Sequence, residues 1–281
     1  MNITWIIQTN MGLHSDIMEY VSAIKKTGAN VIEVEYVPFS GKIPDIETSG
    51  PVVIYGAVNF IQEMQKSGKW PLGVFGDSET FTYKAWSEHY GSMLLNSPDS
   101  TELTTVGAFC SDNRDPEEDI FVRPQHDTKS LIGEVLTAGK FKDWCIDAAK
   151  GDYAEVDKDT PIIVATPYGI DAEWRLFVVD NKVISSSQYR NKGRMHKQHG
   201  APQIILDFAD KVIEKWNPAP AYTLDLCLSA GNPYIVEAQG FNSAGAYHCD
   251  MVAVVQAVNV VAANLWQDNN LNCNNISKNK L

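Results

Sequence analysis

Two carboxylates lie on neighbouring apolar segments in the C-terminal half of the sequence. Asp225 is in YTLDLCLS and Glu237 is in PYIVEAQ, and the two segments are predicted to pair as antiparallel strands around a turn at 230–232. Such a hairpin can place both carboxylates on one face, where like charges repel each other unless a cation lies between them. Mg²⁺, which binds one or two carboxylates together with substrate phosphates, is the simplest such cation. The alternative is two solvated residues on an exposed sheet face.

Neutral oxygen donors follow in the same stretch. Gln239 projects to the same side as Glu237, because side chains alternate along a strand, and Asn242 comes just after the strand. Either amide could complete a metal site. The small residues 243–245 would let the backbone approach a phosphate or an acceptor closely.

The elements that must position these side chains are those of an α/β (α+β) protein. Strand and helix patterns alternate over the first eighty residues and predict a small parallel domain, with PLGVF as its last strand. From Pro161 onward the pattern is rich in strands. PIIVATP, EWRLFVVD and KVISSSQYR predict three strands, of which the last two are joined at Asp180–Asn181.

Composition and charge exclude several classes of protein. The net charge of −12 argues against a nucleic-acid binder, although a nucleotide needs only a few local cations. The five cysteines form no C-x-x-C pair, which predicts free thiols in a reducing compartment and no zinc site. We expect no signal peptide, no membrane span and a cytoplasmic location. The apolar segment Met251–Trp266 predicts a helix that packs internally or at a homodimer contact.

Several segments, taken in order, resemble the ATP-grasp superfamily. LDLCLSAGNPYIVEAQ resembles its metal-binding strands, FVRPQHDTKSLIGEV its phosphate-covering strand and loop, and AEWRLFVVDNKVISSSQYR the segment after its adenine-binding linker. The wording is similar to one bacterial and phage clade in particular, labelled by its arginine and lysine signature. The resemblance covers residues 84–247 and depends on the order and spacing of the segments.

The resemblance implies two α+β lobes that grip ATP, preceded by a small parallel α/β domain. The expected boundaries are 1–81 for the preceding domain, 82–164 for the first lobe, 165–268 for the second lobe and 269–281 for a mobile tail. It also implies roles for individual residues. The magnesium ligands would be Asp225 and Glu237 with Gln239 or Asn242; the ATP-binding residues Lys84, Arg123, Lys129, Ala165 and Glu173; and the catalytic residues Arg175 and Arg123.

The sequence departs from the family pattern at several of these positions. Gln239 replaces an asparagine, and Arg123 replaces a strand lysine, which keeps the charge but changes its geometry. The glycine-rich loop is missing, so Lys129 is the natural replacement cation. Simpler interpretations stay open for three residues: a surface arginine for Arg123, a solvated helix lysine for Lys84 and a cross-strand salt bridge for Arg175.

The activity that the resemblance implies is ATP-dependent ligation. A small-molecule or peptide carboxylate would be activated by Mg²⁺ and ATP as an acyl phosphate and then attacked by an amine or a similar nucleophile. The alternatives are a small-molecule kinase on the same fold and an ATP-binding module without turnover.

One short stretch is cationic in this acidic chain. Arg190, Lys192, Arg194 and Lys197 fall within SSSQYRNKGRMHKQH, which is predicted to be a mobile loop that closes over an anionic substrate or the ATP phosphates. The spacing of His196 and His199 could suggest a metal site, but no carboxylate lies beside them. His126 is likewise a weak candidate for a metal ligand.

Overall fold

The fold is seen in a computed structural model of the chain. The structure describes residues 2–11, 14–38, 40, 42–126, 131, 133–151 and 156–278, with the backbone alone for 14, 15 and 272–278. Three separate sheets succeed one another along the sequence, with α-helices between and after their strands.

The first sheet is parallel and has the order β2–β1–β3. Its elements are β1 (Thr4–Gln8), α1 (His14–Lys26), β2 (Asn30–Val34), β3 (Val52–Tyr55) and α2 (Val58–Ser67). Helix α2 ends at Gly68, whose φ of 65° is readily adopted by glycine. The further strand expected at PLGVF is wrong. Isolated backbone bonds tie this stretch to its surroundings: Ile54 donates to the Gly73 carbonyl, and Phe75 donates to a side chain, Asn242.

The second sheet is antiparallel, has the order β4–β7–β5–β6 and encloses a small core of its own. That core includes Phe109, Phe141 and Val164, all buried. The elements of this region are α3 (Tyr83–Tyr90), β4 (Thr101–Thr105), α4 (Val106–Phe109), β5 (Asp119–Pro124), β6 (Glu134–Thr137), α5 (Ala138–Ala148) and β7 (Pro161–Ala165).

The third sheet is antiparallel and has the order β10–β9–β8–β11–β12. Its elements are β8 (Ala172–Val179), β9 (Lys182–Asn191), β10 (Arg194–His199), α6 (Gln203–Lys215), β11 (Ala221–Ser229), β12 (Asn232–Gly240) and α7 (Met251–Lys278). Asp180 and Asn181 adopt φ values of 49° and 60° between β8 and β9, as a tight two-residue hairpin turn requires. Both predicted hairpins, β8–β9 and β11–β12, are confirmed.

The largest hydrophobic core joins the first sheet to the third. Trp5 and Phe241 pack edge to face with ring centroids 6.0 Å apart, and Phe177 meets the same Phe241 ring at 6.0 Å. Helix α7 packs against α1 and against strands of both sheets. It extends to Lys278, so the first ten residues of the expected tail are helical, and mobility of the tail stays a prediction. Within the described ranges, no helix combines the length and apolarity needed to cross a bilayer.

Candidate active site

The carboxylates of Asp225 and Glu237 lie on one face of the third sheet, as predicted. The two residues are direct partners in the β11–β12 register, next to a register shift between Asp225 and Leu226. Asp225 is 3% exposed, whereas the side chain of Glu237 is 16% exposed. The hairpin therefore presents one deeply buried carboxylate and one that solvent can reach.

Arg175 lies opposite Asp225 on the next strand, β8, and binds it through two hydrogen bonds. Its Nε donates to Asp225 Oδ1 at 2.8 Å and its Nη2 donates to Oδ2 at 2.7 Å. The same Nη2 also donates to Gln239 Oε1 at 3.0 Å. The cross-strand salt bridge left open by the sequence is therefore present, with Asp225 as its partner.

Burial and ion pairing act on this pair in opposite directions. Burial raises the pKa of Asp225 to about 6, although the Arg175 charge and its hydrogen bonds pull that pKa down. Burial alone would lower the pKa of Arg175, but Asp225 outweighs this effect, so the arginine pKa lies well above its usual value. At neutral pH both groups are charged.

Arg123 links the second sheet to the third. It lies on β5, and its Nη2 is 2.8 Å from Glu237 Oε2 on β12. The guanidinium carbon lies 5.0 Å from the ring centroid of Trp86, a buried residue of α3, which supports the arginine from one side. Arg123 is thus part of the site and not a free surface arginine.

Asn242 has a role that the sequence did not suggest. Its Oδ1 accepts a hydrogen bond from the Phe75 amide at 2.9 Å, and its Nδ2 donates to the carbonyls of Ile54 and Gly73 at 2.6 and 3.0 Å. The side chain is 2% exposed and joins the end of β12 to the first domain. Because its amide is committed to the backbone, Gln239 is the better placed of the two candidate neutral donors.

The remaining predicted residues fall in different places. Glu173 is buried on β8, where it accepts a 2.8 Å hydrogen bond from the Tyr189 hydroxyl and lies 3.6 Å from Arg190. Ala165 ends β7 and is buried. Lys84 is exposed on α3 and pairs with Glu88 at 2.8 Å, as expected for a solvated helix lysine. Lys129 lies outside the described residues.

Two tyrosines that sequence reasoning missed complete the surroundings of Arg175. Tyr189 and Tyr247 stack with ring centroids 4.7 Å apart, and the Arg175 guanidinium carbon lies 5.0 Å from the Tyr247 centroid. The Tyr189 hydroxyl also donates to Asp225 at 3.3 Å. Tyr247 has a φ of 48°, which is uncommon for a bulky residue. Its position directly after the small residues 243–246 is the sequence signal that could have identified it.

The cationic stretch is a strand, which corrects the expectation of a mobile loop. Residues 194–199 form β10, the edge of the third sheet, because they pair with β9 across Lys192 and Gly193, whose φ values are 48° and 73°. Lys197 lies over the Tyr247 ring at 5.8 Å. His199 Nδ1 is 3.0 Å from the His248 carbonyl, and His126 lies 3.8 Å from Glu79.

The donor atoms fit magnesium and exclude a zinc site of the usual kind. Asp225, Glu237 and Gln239 offer only oxygen atoms on one sheet face, the ligand type that Mg²⁺ binds together with phosphates. Across the described ranges, no three side chains of His, Cys, Asp or Glu converge as a closed metal site would require. Such a set relies on further oxygen atoms from a phosphate or from water.

A family model for the ATP-grasp domain matches residues 101–257, more than half of the chain. The model describes family 2 of the clade that is labelled by its arginine and lysine signature. The chain belongs to this ATP-grasp family. The resemblance seen in the sequence and the predicted fold class are both confirmed. No curated protein sequence matches the chain.

Solved structures of ATP-grasp proteins share the fold at low sequence identity. D-cycloserine synthetase DcsG is 13% identical with a TM-score of 0.63, over 93% of this chain and 100% of that chain. The D-alanine–D-alanine ligase of Bacillus anthracis in complex with ATP is 11% identical with a TM-score of 0.61, over 96% and 99%. The ligase PsnB with precursor peptide PsnA2 and AMPPNP is 11% identical with a TM-score of 0.52, over 93% and 97%.

Proposed function

We propose that this ATP-grasp protein is an ATP-dependent ligase that joins a carboxylate to an amine or a similar nucleophile. The observation that carries the proposal is the row of charges at the junction of the second and third sheets. Glu237 and Asp225 are direct strand partners, and each is held by an arginine that comes from a different sheet or strand. Two carboxylates and two guanidinium groups at one place suit a reaction whose reactants are themselves multiply charged.

The reaction has two steps. A carboxylate oxygen of the first substrate attacks the γ-phosphorus of ATP; the new O–P bond forms as the bond between the γ-phosphorus and the bridging oxygen breaks, and ADP leaves. The nitrogen lone pair of the second substrate then attacks the acyl carbon, phosphate leaves with the former carboxylate oxygen, and the nitrogen loses a proton. ATP supplies the driving force, so no external redox reagent is needed.

The chain itself contributes positioning and charge, with little covalent chemistry. Asp225, Glu237 and Gln239 would hold Mg²⁺, which when bound neutralises phosphate charge. Arg123 places a cation beside Glu237 on the sheet junction, and its guanidinium can bind a phosphate oxygen pair through two hydrogen bonds. Arg175 is fixed by Asp225 and the Tyr247 ring and holds a second positive charge behind these ligands.

Nucleotide binding tests the assignment without knowledge of the carboxylate. Calorimetric titration of AMPPNP in the presence of Mg²⁺ should give a dissociation constant at least about tenfold weaker for Glu237→Gln than for the natural protein, because a carboxylate donor is lost. Glu88→Gln, which removes an exposed glutamate paired with Lys84, is the matched control and should bind normally. Equal AMPPNP binding by Glu237→Gln and the natural protein would overturn the site assignment.

Product analysis tests the reaction type. The protein is incubated with Mg²⁺, ATP, a panel of amino acids and dipeptides, and hydroxylamine, which converts acyl phosphates into hydroxamates. A ligase gives ADP, phosphate and hydroxamate, whereas a kinase gives a stable phosphorylated product by mass spectrometry. Tight AMPPNP binding with no ADP formation from any carboxylate would instead support a binding module.

A further inference from the structure

A cavity of about 170 Å³ lies between the first domain and the end of β12. Its apolar lining comes mainly from the side chains of Val58, Ile61, Val74, Phe75 and Phe81. An apolar cavity of about 150 Å³ is large enough to hold benzene. This cavity therefore has room for one aromatic ring or one branched aliphatic group.

The walls of the cavity are held by contacts within the protein. Gln65 Nε2 donates to the Gly76 carbonyl at 2.7 Å, and Asn242 accepts from the Phe75 amide at 2.9 Å. The Phe81 ring packs so closely on Gly76 that a Cβ there would lie 2.6 Å from Cε2 of the ring. These contacts form a preorganised cavity, which a ligand can enter without ordering the walls first.

Two strands connect this cavity to the charged site. Strand β12 carries Glu237 and ends at Gly240, which lines the cavity, while the chain of β5 carries Arg123 and continues to His126, which also lines it. Three residues of extended chain span about 10 Å. Because Arg123 and Glu237 are in contact at 2.8 Å, both paths lead from the cavity to the same ion pair.

The charged groups of the cavity lie at its rim. Asp77 is exposed and uses its carboxylate to accept hydrogen bonds from the Thr80 amide and hydroxyl at 2.8 and 2.7 Å, which lowers its pKa. His126 lies 3.8 Å from Glu79. The apolar side chains that line the cavity consequently set which group of a substrate it accepts.

We infer that this cavity binds an apolar side chain of the carboxylate substrate and so determines which carboxylates are ligated. The carboxylate of that substrate lies about 10 Å away, beside Arg123, the length of two extended residues plus a side chain. The substrate class is a carboxylate of dipeptide size whose distal residue is aliphatic or aromatic. The inference rests on the proposed function, because it assigns the carboxylate end to the ATP site.

Methyl NMR with dipeptide probes tests this assignment. In protein labelled at isoleucine and valine methyl groups and saturated with Mg²⁺ and AMPPNP, phenylalanylglycine or leucylglycine should shift the Ile61, Val58 and Val74 signals saturably. Glycylglycine and glutamylglycine should leave these signals in place. If neither apolar dipeptide shifts the signals, or if glycylglycine binds as tightly as they do, the inference is wrong.

A variant that fills the cavity supplies the second measurement. Val58→Trp should weaken the binding of phenylalanylglycine by at least about tenfold, because the added indole occupies the space for the ring. Lys66→Trp adds the same group at the exposed end of α2 and should bind the dipeptide normally. Unchanged binding by Val58→Trp would overturn the inference.

The outcomes separate the cavity from the nucleotide site. If AMPPNP binding is normal and depends on Glu237, but the dipeptides leave the cavity signals unchanged, the cavity assignment fails and the proposed function stands. If the dipeptides bind in the cavity while AMPPNP binding does not depend on Glu237, the cavity binds apolar side chains but the assignment of the nucleotide site fails.

Discussion

Replacing Asp225 by asparagine should destabilise the protein as well as alter its chemistry. We had expected from the sequence that removal of Asp225 would leave the fold intact, and the structure corrects this expectation. Asp225 neutralises Arg175, which is 6% exposed and donates its two shortest hydrogen bonds to this carboxylate. Arg175 cannot escape by losing its proton, because its pKa lies well above the usual arginine value.

The magnitude follows from two opposing contributions. Breaking a buried ion pair by removing one partner costs about 3–5 kcal/mol, since the remaining charge stays buried. The Asp225 carboxylate has its own burial cost, which is what raises its pKa to about 6, and the asparagine removes that cost. We therefore expect a loss in the free energy of unfolding near the lower end of the range, about 3 kcal/mol.

Urea denaturation of a double-mutant cycle measures this effect. Asp225→Asn and Arg175→Met are each expected to destabilise the protein, and the double variant should lose less than the sum of the two by about 2–3 kcal/mol. If the losses of the two single variants simply add, Arg175 and Asp225 are not energetically coupled and the reasoning is refuted. A loss well below about 1 kcal/mol for Asp225→Asn would contradict the buried-charge argument as well.

Three further predictions follow from the same geometry. The affinity for Mg²⁺ and AMPPNP should rise between about pH 5 and pH 7, because a carboxyl group with a pKa of about 6 is increasingly ionised over this range; a flat calorimetric profile would contradict Asp225 as a ligand. Asn242→Ala should lower the free energy of unfolding in urea by about 3 kcal/mol, since three buried backbone groups lose their partner, whereas the exposed turn variant Asn232→Ala should change it by less than about 0.5 kcal/mol. Tyr189→Phe should cost about 1–3 kcal/mol in the same assay because Glu173 loses its 2.8 Å donor, and an unchanged midpoint would show that this hydrogen bond contributes little.

The parts of the fold that local patterns specify could be predicted from the sequence. Asp180–Asn181 and Ala230–Gly231 are turn dipeptides between apolar runs, and both hairpins form where they predict. The shared face of Asp225 and Glu237 follows from the second hairpin alone. PLGVF failed because its apolar residues pack against other segments, such as Phe75 on the Phe241 ring, without a neighbouring strand to pair with among the described residues.

Contacts between distant segments could not be predicted in this way. Nothing within FNSAG indicates that Asn242 bonds to residues 54, 73 and 75, which lie 188, 169 and 167 positions away in the sequence. The pairing of Arg175 with Asp225 depends on β8 and β11 being neighbours in the sheet, although β9, β10 and α6 lie between them in the sequence. Local spacing reports faces and turns, whereas the partner of a buried charge depends on the strand order.

Strand β12 is where the three sheets meet, and this explains why the candidate ligands are on it. Leu95, in the segment before the second sheet, donates to the Ile235 carbonyl at 2.9 Å, and two residues later Glu237 contacts Arg123 of that sheet. Beyond the strand end, Asn242 fixes the chain to the first domain through bonds that are fully buried. Because Arg123 and Glu237 belong to different sheets, any change in the distance between those sheets changes their separation directly. The charge that faces a bound phosphate is therefore set by the packing of the second sheet on the third.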